Sequence, residues 1–95
     1  MKNNIVFFFI AKKGVNMNLN NEYKDKKPIT SLCLSNWGGI EILDIVHGIN
    51  DYVVYRFNYG TPEKIHKAKI IYGTKVDSFR AYDNKRYRLD DFIKN

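Results

Sequence analysis

Eight cationic side chains fall between Lys64 and Arg88: Lys64, Lys67, Lys69, Lys75, Arg80, Lys85, Arg86 and Arg88. Only Asp77 and Asp83 oppose them in that stretch. Cations at this density attract a polyanion. If the stretch is read as strands, Lys67 and Lys69 share one face and Arg86 and Arg88 share another. Arg80 lies on the facing strand of the same hairpin, and Tyr82 has the parity of Arg80. Should these strands be neighbours, the five cations and Tyr82 form one patch roughly 10 Å across, two strand spacings. A phosphate backbone needs cations and an unstacked base needs an exposed ring. Lys67, Lys69, Arg80, Tyr82, Arg86 and Arg88 are therefore the candidate nucleic-acid-binding residues. The plainer reading stands beside it: outward strand positions must be polar, and Lys and Arg serve there.

A second set of side chains suits a protein partner. Trp37 lies next to Gly38-Gly39 in a turn, where an exposed ring would anchor an interface and a folded-back ring would lid the core. Tyr52, Tyr55, Tyr59 and Tyr72 make the middle of the chain rich in tyrosine, a residue that offers contact area at low entropic cost. Trp37, Tyr52 and Tyr59 are the candidate interface residues. Half-buried strand packing explains the same tyrosines.

Catalytic and metal chemistry find no support in the residue pattern. His47 and His66 are isolated from any second ligand cluster, so no zinc spacing exists. Asp90 and Asp91 are adjacent and would point to opposite sides of an extended chain. No nucleophile stands with an oriented base, and neither enzymatic activity nor a cofactor is expected. Cys33 is the single cysteine. That excludes an intrachain disulfide and a Cys-based metal cage, and fits a cytoplasmic protein. Between Leu32 and Leu34, Cys33 is expected to be a small buried hydrophobe.

The formal net charge of +6 is spread unevenly. Residues 1–35 carry six Lys against Glu22 and Asp25, whereas residues 36–63 carry only Arg56 against Glu41, Asp44, Asp51 and Glu63. Such a balance argues against an acidic mimic of DNA. Ile5 to Ala11 is a seven-residue apolar run, far short of the roughly 20 residues a spanning helix needs. Lys12 and Lys13 follow where a signal peptide would need small residues. No membrane association is expected. Lys13-Gly14-Val15-Asn16-Met17 can be encoded with a ribosome-binding sequence just ahead of the Met17 codon, so Met17 is expected as the true start. If retained, Ile5–Ala11 would add a strand or invite aggregation.

These residues must be positioned by short strands. Residues 1–34 read as an extension, with a flexible polar lead-in over 16–27, and residues 35–95 as a small β domain. Within the extension, Ile29–Leu34 also has the pattern of a short strand. Ile40–Val46 is four-sevenths β-branched and follows Gly38-Gly39, which favours a strand. Its apolar positions slip phase between Ile40/Ile42 and Leu43/Ile45, as a β-bulge would make them. Tyr52–Asn58 and Ile65–Tyr72 continue the pattern. Ser78–Tyr82 and Arg86–Leu89 read as a hairpin through Asp83-Asn84-Lys85. Asp90 would cap one helical turn carrying Phe92.

The fold class is mainly β, a small five-stranded barrel or a strongly bent antiparallel sheet. An SH3-like barrel is the nearest match in size and an OB-like one the second, with a short C-terminal helical turn. A domain of roughly 60 residues buries only roughly 60% of the surface its unfolded chain exposes, so a ligand or a homo-oligomeric partner would help it.

Trp37-Gly-Gly-Ile-Glu-Ile-Leu-Asp-Ile45, Asp51-Tyr-Val-Val-Tyr-Arg-Phe57, Lys67-Ala-Lys-Ile70 and Arg86-Tyr-Arg-Leu-Asp-Asp-Phe-Ile93 resemble segments of short uncharacterised proteins from mobile elements of low-GC Gram-positive bacteria. The likeness is one of overall pattern across about residues 35–93. It implies a setting rather than an activity. Small proteins of such elements bind nucleic acid, or bind and inhibit a host protein.

Overall fold

The computed structural model describes residues 19–94. A short helix, α1 (Leu19–Tyr23), leads into strands β1 (Thr30–Ser35), β2 (Gly38–Val46), β3 (Tyr52–Asn58) and β4 (His66–Lys69). A hairpin of β5 (Ser78–Arg80) and β6 (Arg86–Arg88) follows, then a 3-10 turn at Leu89–Asp91 and a two-residue strand, β7 (Ile93–Lys94). The fold is mainly β. Strands β1 to β4 form an antiparallel sheet in the order β4-β3-β2-β1, β7 pairs with the start of β1, and β5 and β6 pair separately.

The turn between β1 and β2 depends on glycine. Gly38 has φ +152°, and a Cβ there would overlap the Asn58 carbonyl oxygen; one on Gly39 would overlap the Leu32 carbonyl oxygen. Only a residue without a side chain lets three strands approach this closely.

The phase slip in β2 is a bulge. Ile42 pairs with Tyr55 and Asp44 pairs with Val54, leaving Leu43 as the extra residue. Ile42 and Ile45 thereby reach one face of the sheet although three residues apart. There Ile40, Ile42, Val53, Tyr55 and Phe57 form the main core with Ile70, Phe79, Ala81 and Phe92, and Ile45 packs at its margin. Leu43 reaches the opposite face and joins Tyr23, Val54 and Ile65. Hairpin β5–β6 supplies Phe79 to the first face, and α1 covers the second with Tyr23.

Three expectations are corrected by this architecture. First, no closed barrel, SH3-like or OB-like, forms among the described residues. Strand β4 has four residues and β5 and β6 three each, too few for a continuous ladder. The link from β4 to the hairpin is a single bridge, Ile71 to Ser78. Second, the lead-in expected to be flexible is packed at Tyr23, which is buried, its hydroxyl donating to Asp44 Oδ2 at 2.7 Å; the strand read at Ile29–Leu34 is present as β1. Third, Asp90 lies inside the 3-10 turn, and Arg88 occupies the cap position without a side-chain bond. The expected Met17 start and the strand expected of Ile5–Ala11 lie outside the described residues.

Candidate nucleic-acid interface

Register fixes which cations meet. Arg80 pairs with Arg86 and Ser78 with Arg88 across the hairpin. Directly opposed residues share a face, so Arg80, Arg86 and Arg88 project together from one side. Phe79 and Tyr87, the intervening pair, turn toward the core. All three arginines are exposed. Arg80 Nη1 donates to the Asn84 carbonyl at 2.8 Å, which holds that guanidinium near the hairpin turn. Asn84 adopts φ +71°, a conformation Asn tolerates better than most residues.

Beside this face runs a groove whose lining includes Ile71, Gly73, Lys75, Ser78, Arg86 and Arg88. Lys75 is a cation the candidate set lacked. Its loop position gave no strand parity to read, although its place in the cationic run was the available signal. Asp77 turns one oxygen to the Gly73 N–H at 3.3 Å and so shapes the loop. The ion pairs among the described residues are Arg56–Glu41 and His47–Asp51. No described carboxylate lies within ion-pair distance of Lys75, Arg80, Arg86 or Arg88.

Lys67 and Lys69 do not share the arginine side chains' surroundings. They pair with Val54 and Tyr52 on β3, on the sheet face that α1 covers. Lys67 Nζ sits 4.8 Å over the Tyr52 ring and borders a groove with Leu19 and Tyr23. Tyr52 is accordingly half-buried and engaged by a cation.

Tyr82 departs from the position its parity suggested. Its backbone N–H donates to the Tyr55 hydroxyl at 2.8 Å, and its own hydroxyl donates to Glu63 Oε1 at 2.6 Å. The ring lies 4.4 Å from His66 and 5.0 Å from Phe57, centroid to centroid. It is 53% exposed but belongs to an aromatic cluster rather than to the arginine face. The bond to Glu63, with burial second, pushes its pKa up to about 12. His66, between Tyr55 and Tyr82, has its pKa lowered by burial and then by Lys64.

Trp37 is 80% exposed, so it is not a lid on the core. Tyr59 stacks on Phe57 at 6.2 Å and 15° while staying 42% exposed. Cys33 is exposed, not buried, and its thiol donates to the Ser35 carbonyl at 3.2 Å. It falls on the outer half of β1, beyond the two residues that β7 pairs. Among the described residues no three His, Cys, Asp or Glu gather as a metal site, and no helix is long and apolar enough to cross a membrane.

No protein-family model, curated protein or solved structure matches this chain. The functional reading therefore rests on the geometry above.

Proposed function

We propose that this protein is a non-enzymatic nucleic-acid-binding protein that engages phosphates through the outer face of hairpin β5–β6. One observation carries the reading. Arg80, Arg86 and Arg88 stand in register on one exposed face, Lys75 joins two of them at a groove, and no described carboxylate neutralises them. Guanidinium groups without a carboxylate partner, side by side on one hairpin face, suit the planar, bidentate recognition of phosphate. The open sheet is read as strongly bent, because the 3-10 turn returns β7 to the side of β1 and the hairpin folds over one face.

Fluorescence anisotropy of labelled DNA and RNA oligonucleotides, followed from low to physiological salt, tests the proposal. Binding at low salt that weakens linearly in log–log form is the expected result, since each neutralised phosphate releases counterions. No binding to either nucleic acid at low salt overturns it.

The exposure of Trp37 favours a second reading, a protein–protein module of a mobile element that inhibits a host protein. A large ring this open at a turn is a suitable interface anchor. A pull-down repeated with nuclease separates the two readings, because partners retained after digestion belong to the second.

A further inference from the structure

The arginine face needs an aromatic platform if it is to read unpaired bases, and Tyr82 is turned away into its own cluster. Tyr72 is the exposed ring whose chain neighbours lie at the groove, its hydroxyl reaching the β2–β3 connection. Its ring is 60% exposed. Its chain neighbours on both sides, Ile71 and Gly73, line the groove that holds Lys75, Arg86 and Arg88, so its Cα is one peptide step, about 3.8 Å, from each.

The ring is also held in place. The Tyr72 hydroxyl donates to Asp51 Oδ2, and the Asp51 backbone carbonyl accepts the Ile70 N–H at 2.9 Å. Asp51 is in turn fixed by the Gly48 N–H at 3.3 Å and by His47 Nδ1 at 3.4 Å. One residue of the β2–β3 connection thus clamps the segment at both side chain and backbone. A ring fixed before binding loses little rotamer freedom when a base stacks on it.

We infer that the ligand class is single-stranded nucleic acid, with a phosphate seated among Lys75, Arg86 and Arg88 and an adjoining base stacked on Tyr72. This rests on the nucleic-acid reading above. A duplex keeps its bases paired and stacked, so it would meet the arginines but not the ring.

The test uses the full chain with labelled oligothymidylate, oligouridylate and a short DNA duplex. Tyr72→Ala should weaken both single strands by about tenfold, leave the duplex unchanged and leave the salt slope unchanged. Tyr72→Phe, which keeps the π face, should stay within about threefold of the parent on the same single strands. Arg86→Ala with Arg88→Ala should weaken all three ligands and flatten the slope. Should Tyr72→Ala fail to fold by circular dichroism, Tyr72→Leu provides the same loss of the ring at similar bulk. Single-strand binding that survives loss of the ring while the arginine variant loses it overturns this inference alone. Absence of binding by the parent protein overturns it together with the function it rests on.

Discussion

Arg56 Nε donates to Glu41 Oε1 at 2.8 Å, across a register pair that joins β2 to β3. Arg56 is only 8% exposed, and Glu41 Oε2 accepts a further bond from Asn58 at 3.2 Å. A buried guanidinium deprived of its carboxylate loses its counter-charge in a poor solvent, and the Lys24 carbonyl that accepts from Arg56 Nη1 at 3.4 Å does not replace it. Glu41→Gln should therefore destabilise the fold by about 3 kcal/mol, measured by urea unfolding. Replacing both partners, Glu41→Leu with Arg56→Met, should recover most of that loss, because the desolvation of two charges disappears with them. A double variant no more stable than Glu41→Gln would show that the pair is worth more than its burial costs.

Phe79 joins the hairpin to the sheet. It is fully buried, 5.3 Å from the Tyr55 ring and 5.9 Å from that of Phe92. Because β5–β6 shares only one bridge with the segment before it, this packing, with that of Ala81 and Tyr87, holds the arginine face to the core. Phe79→Ala should cost about 3–5 kcal/mol. Loss of nucleic-acid binding in parallel with unfolding, rather than before it, is the expected pattern in thermal melts.

Much of the fold was legible because alternation and turn chemistry are local. Val53, Tyr55 and Phe57 alternate onto one face as read, the Leu43 bulge was visible as a phase slip, and the Asn84 turn joins the hairpin where expected. Ile65–Tyr72 was read too long, since only His66–Lys69 remains on β3 before Ile71 turns to Ser78. Nothing local announces where a strand leaves its neighbour. Tyr23 was missed because one aromatic in a polar run has no periodicity. For the candidate site, parity placed Arg80, Arg86 and Arg88 together on one face, but it misplaced Tyr82, whose direction is set by Tyr55 and Glu63, 27 and 19 residues away. It could not tell that Lys67 and Lys69 lie on the α1 face.

Five described tyrosines have raised pKa values, Tyr55 chiefly by burial and Tyr72 by its bond to Asp51, and three of them are raised furthest. Burial and then a bond to Asp44 raise Tyr23 to about 12, the bond to Glu63 raises Tyr82 to about 12, and burial with a bond to Asp83 raises Tyr87 as well. A phenol whose folded pKa exceeds its unfolded value contributes stability below the unfolded pKa and loses it as pH rises through the folded one. Unfolding free energy should thus hold up to about pH 10 and fall between there and about 12. Tyr23→Phe should cost about 1.5 kcal/mol at neutral pH and make the alkaline fall shallower. An alkaline fall equally steep in Tyr23→Phe would mean that this phenol does not contribute to it.

The salt dependence of binding distinguishes the arginine face from the other cations. Each phosphate contact on a single strand contributes about −0.7 to the slope of log K against log salt. Arg80→Ala, Arg86→Ala and Arg88→Ala together should flatten the slope by about 1.4, one phosphate for Arg86 with Arg88 and one for Arg80. Their exposure means thermal stability should move by no more than about 0.5 kcal/mol each, even though Arg80→Ala also removes the hydrogen bond to the Asn84 carbonyl. Lys67 provides the comparison. Its ammonium lies over Tyr52 beside α1, on the sheet face opposite the one the hairpin covers. Lys67→Ala should leave the slope within about 0.2 of the parent. A Lys67 effect as large as that of any one arginine would place the phosphate path on the α1 face instead of the hairpin.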